Sequence, residues 1–250
     1  MLKIILSGCS GKMGSVITDL VTDDSTAQIV AGVDPFFKEG IKYPVYPTFN
    51  ELPKADVIID FSNPAALDNI LQYATKNNVA LVAATTGYTD EQIEKIKSAS
   101  KEIPVFFTFN MSLGVNLLTS LVKRASNVLG NDFDIEIIEK HHNQKIDAPS
   151  GTAIMLANAI NETLNNGMLY EYDRHSKREK RRKNEIGIHS VRGGTIVGEH
   201  EVIFAGNNEV LTLTHQEFSK NVFAVGAMKA AKFLKGKPVG LYDMNDLIGK

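Results

Sequence analysis

The first part of the chain alternates short apolar runs with segments whose apolar residues recur at helical spacing. Strands are predicted at 3–7, 29–33, 57–61, 80–84 and 105–109. Between these runs, the Asn63-Pro64 pair and Asp90 have the features of helix starts. This alternation predicts an α/β fold in which helices cover both faces of a parallel sheet.

The pattern changes after Met111. Apolar spacing predicts a long helix over 113–129, a strand over 133–139 and a helix that begins at Ser150, a natural N-cap. Later strands are predicted at 185–191, 195–204 and 210–215, and a last helix at 222–234. The links Gly193-Gly194 and Gly206-Asn207-Asn208 are typical of hairpin turns. Consecutive hairpins predict a mixed or antiparallel sheet, and therefore a second, α+β domain.

Composition limits the class of protein and its partners. The chain has 250 residues, enough for one large or two modest domains with a buried core. Its formal net charge of −2 gives no reason to expect nucleic acid or an anionic membrane as a partner. We find no apolar run that could span a bilayer and no signal-peptide pattern. The one cysteine, Cys9, is compatible with a reducing cytosol, so we expect a cytoplasmic protein in which Cys9 packs in a tight turn.

A dense basic run occupies residues 173–183. It has no interleaved aromatic residues, so it does not predict a nucleic-acid interface. The default interpretation is a solvated loop, and the alternative is a flap over an anionic ligand.

A glycine-rich turn at 8–14 lies between the first predicted strand and the first predicted helix. Its glycines would let the backbone approach a dinucleotide's pyrophosphate, which would rest on the helix N-terminus. Asp34 follows Gly14 by twenty residues and could accept hydrogen bonds from the ribose hydroxyls. The alternative is a tight turn with an unrelated aspartate. Order and spacing together favour a Rossmann-like cofactor domain.

The choice of cofactor depends on charge near the ribose. Pro35 offers no positive charge for a 2′-phosphate, whereas Lys12 could supply one. We therefore expect NADH to be accepted, and NADPH is compatible with the sequence. The expected cofactor-binding residues of this region are Gly8, Cys9, Ser10, Gly11, Lys12, Met13 and Asp34.

Residues 139–153 carry the candidate proton chemistry. His141 and His142 can exchange protons near neutral pH, and Lys145 can offer a fixed charge or a proton. The helix start at Ser150 presents backbone N–H groups that suit an anion. These features indicate a site for an acidic small molecule, and the alternative is a polar loop closed by an ordinary capped helix. Neighbouring strand residues point to opposite faces, so the two histidines can share a site only where the strand ends or twists.

A series of short motifs runs through the whole chain in one order, at 8–14, 60–62, 84–87, 109–112, 139–153, 192–200 and 240–244. Together they resemble the dihydrodipicolinate reductase family. The segment His-His-x-x-Lys-x-Asp-Ala-Pro-Ser-Gly-Thr is highly specific to that family. The resemblance implies that a nicotinamide cofactor reduces 4-hydroxy-tetrahydrodipicolinate, a cyclic imine dicarboxylate, to tetrahydrodipicolinate in diaminopimelate and lysine biosynthesis.

The resemblance also implies roles for single residues. His141 would handle the proton and Lys145 would donate it. The substrate-binding residues would be His142, Ser150, Gly151, Thr152 and Lys220. The nicotinamide side would be lined by Ala84, Thr85, Thr86, Thr108, Phe109, Asn110 and Met111.

The domain assignment follows from the same resemblance, because the family's last helix returns to the cofactor domain. It implies a dinucleotide-binding domain over 1–111 and 220–250, a substrate-binding and oligomerisation domain over 112–219, and a homotetramer. The family often has an arginine where Lys220 stands, which would replace a bidentate carboxylate contact by a point charge. Some members carry an arginine for NADPH where this chain has Pro35.

Three rival functions explain fewer of these features. A metal site is not expected, because adjacent histidines chelate poorly and the sequence has no cysteine cluster or His-Glu-x-x-His pattern. Another amino-acid or oxo-acid dehydrogenase would share the glycine turn and Asp34 but would not need the 141–152 constellation. A non-catalytic nicotinamide sensor would need neither the histidines nor Lys145.

Overall fold

The computed structural model describes residues 1–37 and 40–249. It divides into two compact units, Met1–Leu113 with Asn221–Lys250, and Gly114–Lys220. The expected boundaries followed Met111 and Ser219, whereas the observed division follows Leu113 and Lys220. We call these the first unit and the second unit.

The first unit contains a sheet in the order β12-β6-β5-β4-β1-β2-β3, in which the paired strands are parallel. The strands are β1 (Leu2–Ser7), β2 (Ala27–Val33), β3 (Val45–Tyr46), β4 (Val57–Asp60), β5 (Ala80–Ala83), β6 (Pro104–Phe107) and β12 (Gly240–Tyr242). The helices are α1 (Lys12–Thr22), α2 (Leu67–Asn77), α3 (Asp90–Ala99), α6 (Asn221–Leu234) and α7 (Met244–Ile248). The predicted α/β fold with a parallel sheet is confirmed.

The alternation of side chains along β1 explains why this sheet is covered on both faces. Ile4 and Leu6 pack in one hydrophobic core with residues of α1 and α6. Ile5, between them, packs in a second core with residues of α2 and α3. All three side chains are completely buried, as expected for a parallel strand at the centre of a sheet.

The second unit contains a mixed sheet in the order β11-β10-β7-β9-β8. Its strands are β7 (Asp134–His141), β8 (Leu169–Glu171), β9 (Glu185–Arg192), β10 (Gly198–Ala205) and β11 (Val210–Glu217). Helix α4 (Leu113–Leu129), which begins at the unit boundary, and α5 (Gly151–Thr163) contribute residues to the core of this unit. Along β7 every second residue is buried, which is the period of a strand with one covered face.

One of the two predicted hairpins is wrong. β10 and β11 pair as an antiparallel hairpin, but β9 and β10 do not pair, because β7 lies between them. The Gly193-Gly194 link instead crosses the end of β7, where Gly193 N–H bonds His141 O and Asn143 N–H bonds Gly194 O. A glycine pair allows the chain to reverse, but it does not determine which strand becomes the neighbour.

We expect Gly226→Ala, in α6, to destabilise the first unit. A Cβ there would lie 1.8 Å from the carbonyl oxygen of Met111, which is backbone and cannot rotate away. Alanine favours a helix by about 1 kcal/mol, but overpacking costs up to about 3 kcal/mol, so we expect a net loss of about 2 kcal/mol in the free energy of unfolding.

Urea denaturation followed by circular dichroism measures this loss. Val225→Ala is the control, because Val225 is 37% exposed on the same helix and its truncation should change stability little. Equal stability of Gly226→Ala and the wild type would contradict the close approach.

Candidate active site

The glycine turn between β1 and α1 is built so tightly that it excludes side chains. Gly8 has φ +78, and a Cβ on it would lie 2.5 Å from Phe61 O. A Cβ on Gly14 would lie 2.4 Å from Gly8 O. Gly11, the N-cap of α1, supplies no side-chain hydrogen bond to the first turn. The backbone N–H groups that a helix start leaves without intrahelical partners therefore suit a phosphate here.

Asp34 closes β2 and reaches back to this turn. Its carboxylate accepts hydrogen bonds from Ser10 N–H at 3.1 Å and from Phe36 N–H at 3.0 Å. A cleft of about 1070 Å³ adjoins it and is lined in part by Gly8, Gly11 and Asp34. The hydroxyl of Ser10 is buried without a hydrogen-bond partner. The backbone of the glycine turn, the Asp34 carboxylate and the unpaired Ser10 hydroxyl together fit a bound dinucleotide.

The remaining residues of the turn differ in exposure. Cys9 is 3% exposed, and its sulfur packs against Gly32. Burial raises the pKa of the Cys9 thiol, which fits the expected packing role. Lys12 is exposed, and Met13 packs against the core.

The residues expected beside the nicotinamide include both buried and exposed side chains. Thr85 is buried and donates to the Asp60 carboxylate at 2.7 Å, and Tyr88 donates to the same oxygen at 3.0 Å. Burial and the Asp60 charge raise the pKa of Tyr88. Ala84 and Met111 belong to the core, so only their backbone can meet a ligand. Thr86 and Phe109 are exposed, and Thr108 and Asn110 are half-buried.

The second unit contains a buried carboxylate, Glu139, with four hydrogen bonds to three other residues. Arg192 binds it in a bidentate pair at 2.7 and 2.8 Å, and Ser150 N–H donates at 3.1 Å. His141 Nδ1 lies 2.5 Å from the same group. Glu139 has no exposed surface. Burial opposes its ionisation, but hydrogen bonds from Arg192, Ser190 and His141 outweigh that effect and hold the pKa of Glu139 at about 2.

His141 is the last residue of β7 and points into the covered face of the sheet. Burial lowers the pKa of its imidazole, and the neighbouring Glu139 partly opposes this effect. With Nδ1 committed to Glu139, a neutral His141 would carry its proton on Nδ1, and Nε2 would be the nitrogen that exchanges protons. His142 lies beyond the strand and is half-buried. The strand therefore ends between the two histidines, which is one of the arrangements that would let both reach a site, the alternative being that one of them is structural.

The start of α5 is linked to the same cluster through Ser150. Its hydroxyl caps the helix by accepting from Ala153 N–H at 3.2 Å, and it lies 2.9 Å from His200 Nε2. Burial, with a smaller contribution from His141, lowers the pKa of His200 to about 4. Gly151 and Thr152 form the first turn of α5. The predicted N-cap at Ser150 is confirmed.

Two predicted cationic residues lie nearer to the surface. Lys145 forms an ion pair with Asp147 at 3.0 Å, and its backbone N–H bonds His142 O. Lys220 follows β11 and is exposed. The structure thus brings His141 and Ser150 together around Glu139.

Sequence reasoning assigned no role to Glu139, Arg192, His200 or Glu217. Glu139 stands two residues before His141, so strand periodicity could have placed both on one face. Nothing local connects Arg192 to Glu139, because the two are fifty-three residues apart and meet only through the pairing of β7 with β9.

The basic run at 173–183 is anchored to the sheet of the second unit. Arg181 donates to Asp134 at 2.9 Å, to Glu136 at 3.0 Å and to three backbone carbonyls. Arg174 pairs with Glu185, and Lys177 pairs with Glu171. Within 173–183 only Arg174 and Arg181 are half-buried and the other residues are exposed, so the predicted solvated loop is tied to the sheet at a few points.

Two other classes of site are absent from the part of the chain that the structure describes. Within 1–37 and 40–249, no group of three or more His, Cys, Asp or Glu side chains is arranged to hold a metal ion. Over the same residues, no helix has the length and apolar character that crossing a membrane requires.

Comparison with known proteins connects this geometry to a family. Residues 2–111 match the model "Dihydrodipicolinate reductase, N-terminus", and residues 114–248 match "Dihydrodipicolinate reductase, C-terminus". The chain belongs to the dihydrodipicolinate reductase family. A curated 4-hydroxy-tetrahydrodipicolinate reductase of Clostridium novyi (strain NT) is 51% identical over 99% of this chain and 98% of its own length. The enzyme of that name from Caldanaerobacter subterraneus subsp. tengcongensis is 53% identical over 100% and 99%.

A solved structure extends the likeness to the fold. The dipicolinate-bound dihydrodipicolinate reductase from Paenisporosarcina sp. TG-14 superposes with a TM-score of 0.83, at 26% identity and with complete coverage of both chains. The resemblance that the motifs indicated is thereby confirmed.

We expect Glu139→Gln to lower the free energy of unfolding of the second unit by about 3 kcal/mol, because it leaves the partly buried Arg192 without its countercharge. Urea denaturation monitored by circular dichroism measures this change. Glu162→Gln is the matched control, since its pair with Lys123 is largely exposed and should contribute less than about 0.5 kcal/mol.

The same pair of proteins tests the charge of Glu139. Its folded pKa of about 2 lies below the usual value of 4.5, so its ionisation stabilises the fold above pH 4.5 and this stabilisation is lost as the pH falls toward 2. The difference between wild type and Glu139→Gln should shrink over that range. A difference that does not change with pH would show that Glu139 is not charged in the folded protein.

Proposed function

We propose that this chain reduces 4-hydroxy-tetrahydrodipicolinate to tetrahydrodipicolinate with a nicotinamide cofactor, in diaminopimelate and lysine biosynthesis. Membership of the reductase family over both units supports the reaction. The observation in this chain that carries the proposal is the buried Glu139–His141 pair, which orients an imidazole for proton transfer.

The cofactor would be held by the first unit. Backbone N–H groups of the turn at 8–13 would bind the pyrophosphate, and Asp34 would accept hydrogen bonds from the ribose. Thr86, Phe109 and the backbone at Ala84 and Met111 would face the nicotinamide, with Thr85, Thr108 and Asn110 supporting these two segments. When bound, the nicotinamide supplies the hydride.

The substrate's two carboxylates need donors, which the second unit offers. The first turn of α5, at Gly151 and Thr152, would bind one carboxylate with backbone N–H groups, and the Ser150 cap holds that turn in place. His142 and the exposed Lys220 would supply further contacts. Because Lys220 is a point charge, it would fix the orientation of a carboxylate less firmly than an arginine.

Hydride addition to the conjugated ring pushes electrons toward the ring nitrogen, and the resulting enamine takes up a proton. His141 is suited to this transfer as a general acid, because the Glu139 carboxylate at Nδ1 stabilises the imidazolium that would donate from Nε2. Lys145 is the second proton donor by family resemblance. Its ion pair with Asp147 would have to loosen before it reached a substrate.

We infer a homotetramer that forms through the sheet of the second unit. Edge strand β11 supports this inference, because Val210 is 64% and Leu211 is 40% exposed. An exposed strand edge with apolar side chains is a surface that pairs readily with another chain. The biosynthetic role and the single thiol are compatible with a cytoplasmic location.

We expect Asp34→Asn to weaken NADH binding about tenfold and NADPH binding less, because the charge that favours the ribose hydroxyls and repels a 2′-phosphate is removed. The amide oxygen can still accept from Ser10 N–H, so the glycine turn should keep its shape, whereas the hydrogen bond from Phe36 N–H is lost. Fluorescence titration with each cofactor measures the two affinities. Asp19→Asn, an exposed change in α1, is the control, and unchanged NADH affinity in Asp34→Asn would refute the ribose assignment.

We expect His141→Gln to lower kcat at least about a hundredfold, as loss of a general acid does, and to leave the Kd for NADH unchanged. A coupled assay that generates the unstable substrate in place, with NADH or NADPH followed separately, measures turnover. The control is His175→Gln, because His175 is exposed in the basic run. A parallel loss of cofactor affinity would count against a role in proton transfer, and a wild type without turnover would refute the proposed reaction.

A further inference from the structure

Two rows of side chains cross the covered face of the sheet in the second unit. In the first row, His200 of β10 stands opposite Glu139 of β7 and His215 of β11. In the second row, Gly198 of β10 stands opposite Glu217 of β11, and the register of β7 brings His141 to its other side. The second row therefore places an imidazole and a carboxyl group on either side of a residue that has no side chain.

Distances at Gly198 show that the two groups face one point. A Cβ on Gly198 would lie 3.3 Å from His141 Nε2 and 3.1 Å from a carboxylate oxygen of Glu217. His141 Nε2 and this Glu217 oxygen are therefore at most 6.4 Å apart, the sum of these two distances. Nε2 is also the nitrogen that Glu139 leaves available for proton exchange. A residue with a side chain at position 198 would contact this nitrogen closely.

We propose that Glu217 is a positioning residue for the reduction, which favours the protonated form of His141 by facing its Nε2 across Gly198. This inference rests on the proposed function, in which His141 is the general acid. A negative charge a few ångströms from an imidazole favours the imidazolium, and Glu217 is 8% exposed, so water screens its charge little. His141 would then lie between two carboxyl groups, with Glu139 at Nδ1 and Glu217 toward Nε2.

Other charged groups near this row also affect the pKa values of His141 and Glu217. On His141, burial and the positive charges of Lys145 and Arg192 favour the neutral ring, and Glu139 opposes them. Burial raises the pKa of Glu217, and Lys220 partly opposes that effect. The buried ring of His200 and the half-buried ring of His215 occupy the neighbouring row, and partial or complete burial lowers the pKa of both. When ionised, Glu217 thus places negative charge toward Nε2, the ring nitrogen that Glu139 does not contact.

The test is an NMR titration of the His141 ring in the ligand-free protein, with His141→Gln used to assign the signal. Glu217→Gln should lower the pKa of His141 by about one unit, the size expected for loss of one partly screened charge at this range. The alkaline limb of the kcat/KM profile should move by about the same amount to lower pH. Glu201→Gln, on the other face of β10, removes the same charge and should change neither quantity.

A conservative variant keeps the test informative if the glutamine variant does not fold. Glu217→Asp retracts the carboxyl group and should give a smaller shift of the His141 pKa in the same direction. The inference would be overturned if the pKa of His141 in Glu217→Gln equalled the wild-type value. If only Glu217→Asp folds, an unchanged His141 pKa in that variant would overturn it. A wild type without reductase activity would overturn the proposed function instead, and the ligand-free titration would still decide whether Glu217 acts on His141.

Discussion

The buried carboxylate of Glu139 is the constraint on which the site of the second unit depends. A charge without exposed surface is tolerated only where donors compensate for lost water, and Arg192, His141 and the Ser150 N–H group do so. Each donor comes from a different element, namely β9, β7 and the start of α5. Satisfying one carboxylate therefore fixes the orientation of the imidazole and the position of the helix start together. In the proposed reaction, the imidazole would transfer a proton to the substrate ring while the helix start holds one of the substrate's carboxylates.

The two units handle negative charge in different ways. In the first unit, the turn between β1 and α1 relies on backbone geometry, and Gly8 and Gly14 are required because a Cβ would collide with neighbouring backbone. Such a site suits a phosphate, which many N–H groups can share. In the second unit the charge belongs to the protein, and a guanidinium pairs with it. The backbone N–H groups of the glycine turn suit a large cofactor. The Glu139–Arg192 pair suits the orientation of a single ring, that of His141.

Burial also controls the protonation of the groups around Glu139. It lowers the pKa of His141 and His200 and raises that of Glu217, so the low dielectric favours the neutral form of each. Glu139 is the exception, because hydrogen bonding outweighs its burial. For His141 the net effect is a pKa below the usual value, and the neighbouring Glu139 carboxylate limits that lowering.

The sequence by itself determined most of the longer elements and the glycine turn, but it did not reveal the short strands β3, β8 and β12. Apolar spacing located β1, α4 and the Ser150 cap, since periodicity, caps and glycine turns are local properties of neighbouring residues. The sequence could not determine that β7 inserts between β9 and β10, so the hairpin expected at Gly193-Gly194 was wrong. Only tertiary structure brought Arg192 to Glu139 and Glu217 to His141, because strand pairing joins residues that are far apart in the chain. Local patterns identify which residues can do chemistry, whereas long-range pairing decides which of them meet and what charge each one carries.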